Sequence, residues 1–427
     1  MSKNADIADL NGRLLALYLR AGAASDPLEL QDIVTTALHL RGAFQVDQNP
    51  NVTAMFSRYI QLIRLHLNPT ARASLDAQLA TTLPLPTLPP AFAGHGDFLA
   101  PLTAEGHRGI SVVTCSMNRT ENLIRAIPSW LANPEIAEVM IVDWSSRQPV
   151  EQDLAQAGIA DPRIRILRVE GEPRWILSYA FNAGFRAAAC DTILKVDADI
   201  VLSPDFFQRN HVAPGRFIAG NWRSASADQA HVNGFFCVSR QALQRIGGFN
   251  EHITTYGWDD DDIYDRMTLS GLRRSDVAPG TIFHLDHDDE DRLGEVNGVC
   301  HQTVGARLSA GTKFMIRRNR YLAMVMPHWD GGSNALPFRT VSQSPSLMTI
   351  RRDGWEPSAV PGHVQAAARI HALTELLAWR LGRRVLELEP AKVELLLERG
   401  NGAVSAVDVG VAIGAPHRLA TGDRRDL

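Results

Sequence analysis

The chain has 427 residues, 45% of them hydrophobic and 21% charged, with a formal charge of −4 at pH 7. That supplies apolar material for two or three domains with at least one substantial core. It also argues against a nucleic-acid binder, which ordinarily carries a basic excess. The cysteines at 115, 190, 237 and 300 form no C-x-x-C pair and read as thiols of a reducing compartment, not as a disulfide framework. The chain opens without a basic-then-apolar leader, and no segment reaches the ~18 uninterrupted apolar residues of a membrane span. The expectation is a cytoplasmic protein without a transmembrane segment, compatible with peripheral contact to a membrane.

Residues 1–82 read as a helical region: Leu14, Leu15, Tyr18 and Leu19 recur at helical spacing, as do Ile60, Ile63 and Leu67. Residues 83–108 read as a linker that opens on Leu83-Pro84-Leu85-Pro86-Thr87-Leu88-Pro89-Pro90. Proline lacks the amide donor and fixes φ, so no regular element runs through it. From 109 the pattern changes. Apolar runs at 110–115, 137–142, 164–169 and 191–196 alternate with helical patterns at 121–131, 151–157 and 176–189. Pro128 is expected to kink or shorten the first of these helices. The alternation predicts an α/β domain over 109–325 with a mostly parallel sheet. Ligands of such sheets bind beyond the carboxyl ends of the strands, where Asp143, Asp197 and Asp199 stand. Residues 326–427 are expected to form a mostly helical accessory region, with helices at 366–381 and 391–398, packed with the N-terminal helices.

Asp197 and Asp199 lie two apart at a predicted strand end, where such side chains share a face and can address one site. Hard cations such as Mg²⁺ and Mn²⁺ favour those oxygens. A bare Asp-x-Asp is more often a solvated loop, but apolar residues flank this one on both sides. His284 directly follows an apolar run and would pair with Asp199 in a mixed oxygen–nitrogen site that favours Mn²⁺; His287 is the alternative ligand.

In Gly257-Trp258-Asp259-Asp260-Asp261-Asp262, four consecutive carboxylates stand behind a tryptophan. A helix N-terminus accommodates one or two such charges through the macrodipole, not obviously four. An exposed carboxylate at a helix start, beside an aromatic able to stack on a sugar, suits a general base for a hydroxyl group. Asn118, Arg119 and Asp143 follow the first two strands, within reach of a nucleotide. Lys313, Arg317, Arg318 and Arg320 form a basic cluster that either neutralises a leaving diphosphate or is a solvated helix face.

Thr114-Cys115-Ser116-Met117-Asn118-Arg119, Val142-Asp143-Trp144-Ser145-Ser146, Asp197-Ala198-Asp199 and Gly247-Gly248-Phe249-Asn250-Glu251 through Asp265-Arg266 together resemble nucleotide-diphosphate-sugar glycosyltransferases. The likeness is to bacterial family 2 enzymes, with a β-1,4-galactosyltransferase-like C-terminal motif, and covers about half of the chain. It implies a GT-A fold, a Rossmann-like, mostly parallel sheet flanked by helices. The activity implied is metal-dependent, inverting transfer of a galactose- or GalNAc-like sugar from a UDP-sugar to a hydroxyl of a glycan or lipid-linked acceptor, with Mn²⁺ or Mg²⁺ as cofactor.

Carried over by motif, Asp199 holds the metal with His284 or His287, and Asp197, Asp143, Asn118 and Arg119 contact the nucleotide. Trp258, Gly234 and Asp261 border the sugar and acceptor, and Asp260 is the base. The related motif has two glycines after the tryptophan that this chain lacks, so Asp259 stands as the rival base. Two other readings compete. A non-catalytic GT-A-like binding or scaffolding module would tolerate loss of the base and ligands, which are all present. A nucleotidyltransferase would carry a glycine-rich loop after the first strand, where this chain has Ser116-Met117-Asn118-Arg119-Thr120-Glu121.

Overall fold

A computed structural model of the chain describes residues 26–80 (apart from 45 and 47–49), 107–221, 233–285, 303–304, 307–308, 310–326, 338–352 and 360–380, with scattered positions between 10 and 24. The expected linker up to residue 106, His287 and the helical pattern at 391–398 lie outside the described residues, while 107 and 108 already belong to the first strand.

Helices α1 (Pro27–Ala43), α2 (Pro50–His66) and α3 (Pro69–Ala80) come first. Each begins at a proline, where the missing amide costs no hydrogen bond, and the Asp26 carboxylate caps α1 by accepting from Leu28 N at 3.0 Å. Ile33, Val34, Ile60, Ile63, Leu67 and Leu75 turn inward to form one apolar cluster, which also takes in Leu14.

The α/β part follows as β1 (His107–Ser116), α4 (Thr120–Leu131), β2 (Ile136–Trp144), α5 (Val150–Gln156), β3 (Ile164–Glu170), α6 (Leu177–Ala187), β4 (Cys190–Lys195), β5 (Ile200–Leu202) and α7 (Phe206–Arg209). It continues through β6 (Arg216–Ala219), β7 (Phe236–Ser239), α8 (Arg240–Ile246), α9 (Asp259–Leu269), β8 (Arg273–Asp276) and β9 (Ile282–His284). The short strands β10 (Thr303–Val304) and β11 (Arg307–Leu308), then α10 (Ala310–Val325), β12 (Phe338–Gln343), β13 (Leu347–Arg352) and α11 (Gly362–Arg380), complete the described chain.

Among the described residues the main sheet has nine strands in the order β12-β13-β3-β2-β1-β4-β7-β6-β8. The run β13-β3-β2-β1-β4 is parallel, and β4-β7-β6 pair antiparallel. β2 and β4 flank β1, so strand order reverses there, and the crevice of an open α/β sheet opens at the carboxyl ends of these strands. Gly184 lets α6 lie close on the sheet, since a Cβ there would stand 2.7 Å from Val113 and 2.8 Å from Val142. The described cysteines, Cys115, Cys190 and Cys237, are buried free thiols whose pKa burial raises.

Two expectations need correction. Pro128 does not end α4: Trp130, beyond it, is fully buried and donates Nε1 to Ile200 O at 2.8 Å, so burial of the last turn outweighs the missing amide. The sheet also does not stop at 325. β13 pairs parallel with β3, and β12 adds an outer strand. Ile350 is buried in the core, Phe338 meets Trp144 edge-on at 6.3 Å, and Arg351 and Arg352 pair with Glu170 and Glu172. These strands carry too many arginines and polar residues to announce themselves by alternation.

Helix α10 joins the layers. Its Met324 enters the N-terminal cluster, while Tyr321 and Leu322 pack with Val364 and Ala368 of α11.

Candidate active site

β4 ends at Lys195, and Val196-Asp197-Ala198-Asp199 form a turn into β5. The strand periodicity that would put both carboxylates on one face is therefore lost, and they take different partners. Asp197 Oδ1 lies 2.7 Å from Lys195 Nζ. Asp199 Oδ2 lies 3.5 Å from His284 Nε2. A short antiparallel ladder delivers the histidine: β5 pairs with β9 in the register Ile200↔His284, and Leu285 N donates to Asp199 O at 2.7 Å. The oxygen and nitrogen are mostly buried, with side chains 14% and 11% exposed.

The acidic run starts α9, and its four carboxylates are not equivalent. Asp262 is buried in an ion pair with Arg266 Nε at 2.7 Å, and Arg58 of α2 approaches its other oxygen at 3.8 Å. The same Arg266 donates through Nη1 to Ile246 O and Gly248 O, both at 2.7 Å. Asp262 thus anchors α9 to the Gly247-Gly248 turn, whose first glycine closes α8 in the left-handed region at φ 72°. Asp261 is half-buried.

Asp259 is buried and its carboxyl is pushed up to about 6, first by burial and then by Asp197 and Asp261, against the pull of Lys195. Asp260 is raised well above the carboxylate range, chiefly by burial and by repulsion from Asp259. Its Oδ1 accepts no hydrogen bond among the described residues, and Asn233 Nδ2 reaches its Oδ2 only at 3.5 Å.

Lys195 organises this charge. It is fully buried at the end of β4, with Nζ 4.5 Å from the centre of the Phe181 ring. Burial opposes its charge, but Asp197, Asp260 and Asp259 outweigh that and hold its pKa above the ordinary value. Gly234 makes the approach of base and amine feasible. A Cβ there would stand 2.8 Å from Lys195 Nζ and 2.9 and 3.0 Å from the two Asp260 oxygens. The Tyr264 hydroxyl, which accepts from Gly234 N at 2.9 Å and donates to Phe235 O at 2.8 Å, holds the glycine at φ 95°.

Asn118, Arg119 and Asp143 lie at the carboxyl ends of β1 and β2, along the same edge as the Asp197 turn. Asp143 is fully buried and accepts from Ser146 N at 3.0 Å, Val150 N at 3.1 Å and Arg168 Nη1. Asn118 is held at φ 57° and accepts from Arg147 N at 2.8 Å. Asp143 therefore shapes its loop from inside the protein, and half-buried Asn118 ties the two loops together nearer the surface. Arg119 Nη2 is buried without a hydrogen bond among the described residues.

Trp258 packs against the N-terminal helical cluster, with Arg320 5.3 Å from its ring centre. The basic cluster of α10 is split: Arg320 lies on Trp258, Arg318 Nη1 donates to Thr255 Oγ1 at 3.1 Å, and Arg317 Nη1 donates to Lys313 O at 3.0 Å. Sequence reasoning missed Lys195, although a lone charge inside the apolar run 193–196 is a usable signal. It also missed Arg58, Tyr264 and Asn319, for which no local signal exists.

The family described as Glycosyl transferase family 2 matches residues 111–210, and the one described as N-terminal domain of galactosyltransferase matches residues 218–288. The first carries Lys195 and the Asp-x-Asp turn; the second carries Gly234, the acidic run and His284. The chain is a glycosyltransferase. Its mostly parallel sheet with flanking helices is the GT-A arrangement expected from the motifs.

Among solved structures, the catalytic domain of Drosophila β1,4-galactosyltransferase 7 with xylobiose is 14% identical, with 58% of this chain and 95% of that one aligned at a TM-score of 0.38. A mutant of the same enzyme with manganese, UDP-Gal and xylobiose is also 14% identical over the same shares, at a TM-score of 0.37. No curated protein matches the chain. Outside the matched segments of the glycosyltransferase lie the N-terminal helices, α10, β12, β13 and α11. No helix among the described residues is long and apolar enough to cross a membrane.

Proposed function

We propose that this enzyme moves a galactose- or GalNAc-like sugar from UDP to a hydroxyl of a glycan or lipid-linked acceptor, with inversion at the anomeric carbon and with Mn²⁺ or Mg²⁺ bound. One placement carries the reading. Asp260 and Lys195 both lie against Gly234, and Lys195 pairs with Asp197 of the Asp197-Ala198-Asp199 turn, which supports the acidic run and the Asp-x-Asp addressing a common space.

The donor set suits a cation. Asp199 and His284 offer one oxygen and one nitrogen 3.5 Å apart, near the ~3 Å edge expected between neighbouring ligands of an octahedral ion. Their mixed chemistry favours Mn²⁺, and His287 remains a further ligand candidate. A cation held there would supply Lewis-acid stabilisation of the departing nucleoside diphosphate.

In the reaction, Asp260 takes the proton of the acceptor hydroxyl while that oxygen bonds to the anomeric carbon. The bond from that carbon to the β-phosphate oxygen breaks, and UDP leaves. A carboxyl raised out of the ordinary range is a better base near neutral pH than a solvated one. Asp259, also raised, is the rival base. Lys195 stays charged and balances Asp197 and Asp260. Asn118, Arg119, Asp143 and Asp197 serve the nucleotide side, and Trp258, Gly234 and Asp261 border the sugar and acceptor.

The test is a screen of sugar nucleotides for release of nucleoside diphosphate with and without Mn²⁺, followed by Asp260→Asn. The expected loss in kcat is about 10²–10⁴-fold with donor binding retained. Absence of turnover and binding with every donor overturns the reading, and full activity in both Asp259→Asn and Asp260→Asn removes the base from this run.

A further inference from the structure

Asn319 lies on α10, beyond both family matches, and is fully buried. Its Nδ2 donates to Thr255 O at 3.1 Å, Tyr256 O at 3.0 Å and Gly257 O at 2.8 Å. Its Oδ1 accepts from the Thr255 hydroxyl at 3.1 Å. An amide nitrogen has two protons, so sharing them among three consecutive carbonyls makes this side chain a template for the segment. The neighbouring turn of α10 seals the contact. A Cβ on Gly257 would stand 2.5 Å from Ile316 Cγ1, and Arg320 lies over Trp258. Residues 316, 319 and 320 share one helix face.

The held segment leads straight into the base. Trp258 sits in the left-handed region at φ 67°, a conformation that costs a branched or bulky residue roughly 1–2 kcal/mol and persists only where the surroundings over-determine it. Its carbonyl accepts from Asp262 N at 2.9 Å, the first hydrogen bond of α9. Any slack at 255–258 therefore moves Asp259 and Asp260 directly.

We infer that Asn319 is a positioning residue of the transfer reaction: through the carbonyls of Thr255, Tyr256 and Gly257 it sets where α9 begins, and so where the base stands. The inference rests on the base assignment above. It makes α10 part of the catalytic apparatus although neither matched segment contains it. Asn319 touches no substrate in this role, so donor binding on the Asp197–Asp199 side is unaffected.

The test is a double-mutant cycle in the full chain, reading kcat, acceptor KM and donor Kd for Asn319→Ala, Asp260→Asn and the pair. Asn319→Ala is expected to lower kcat about 10–100-fold, as for a base misplaced by up to ~1 Å, with donor Kd within about twofold. In the Asp260→Asn background the same change is expected to cost less than about threefold, because a residue acting through the base has nothing left to position. Equal losses in both backgrounds, or an unchanged kcat, overturn the inference. If Asn319→Ala does not fold, Thr255→Val removes only the hydroxyl contacts with Asn319 and Arg318. An unchanged kcat in Thr255→Val then overturns it equally. Failure of Asp260→Asn to lose activity strikes the base assignment instead, so the two failures are distinguishable.

Discussion

Gly234→Ala separates the geometry of the site from the stability of the fold. The new methyl would meet Lys195 Nζ at 2.8 Å and the Asp260 oxygens at 2.9 and 3.0 Å, all well inside ordinary van der Waals contact. These are the ends of flexible side chains, so they yield and the backbone need not. The fold therefore bears mainly the conformational cost of a side chain at φ 95°, about 1–3 kcal/mol. Catalysis bears more. Relieving the overlap displaces the base and its counter-charge by several tenths of an ångström. Since ~1 Å of misplacement can cost about 10²-fold, a loss of about 10–100-fold in kcat is expected. Gly280→Ala is the control. It shares a positive φ of 69° but has nothing within 4 Å of the new Cβ, so it isolates the backbone cost. The assay compares kcat, donor Kd and thermal midpoint for both variants. Equal kcat in the two would refute the placement of Lys195 and Asp260 against Gly234 as the catalytic arrangement.

Two pH effects follow from the buried carboxyls. The acid limb of kcat/KM is expected above the ordinary carboxylate range, because burial and Asp259 both hold the proton on Asp260. Asp259→Asn removes a neighbouring negative charge and should move that limb to lower pH; a limb near pH 4 in the parent enzyme counts against Asp260. The second concerns Asp265, buried under the helical layer and bound by the Tyr18 hydroxyl at 3.1 Å. Burial, then Asp261 and Asp262, push its carboxyl up to about 7, against Arg58 and Tyr18. The folded state thus holds this proton more tightly than the unfolded chain. Stability from this group is greatest below the ordinary carboxylate pKa and falls as pH rises through about 7. Asp265→Asn should accordingly gain thermal midpoint over the parent at pH 8 and lose most of that advantage by pH 5; an equal difference at both pH values would show that the carboxyl does not titrate there.

The elements between 110 and 196 were legible because their signals are local. Ile110, Val112 and Ile193 lie in short apolar runs, and Leu123, Ile127 and Trp130 trace one helix face. Strands β12 and β13 were not, because a strand at the margin of a sheet is stabilised by its ladder and by pairs such as Arg351 with Glu170, which leave no period-two apolar record. Among the candidate residues, Asp199 and His284 were legible as ligand types and do come together. Asp197 was expected to share their face, and the turn after Lys195 sends it to the lysine instead.

The order of motifs along the chain was enough to indicate a glycosyltransferase, since carboxylates and histidines after apolar strands are written residue by residue. Which of four adjacent aspartates is which was not written there. Asp262 became an anchor because Arg266 and Arg58 reach it, and Asp260 a candidate base because Gly234 leaves room for it beside Lys195. The segment that leads into the run is held by Asn319, 62–64 residues away along the chain. Identical side chains acquire different chemistry only from burial and from neighbours distant in sequence, and those arise when the helical layers close on the sheet.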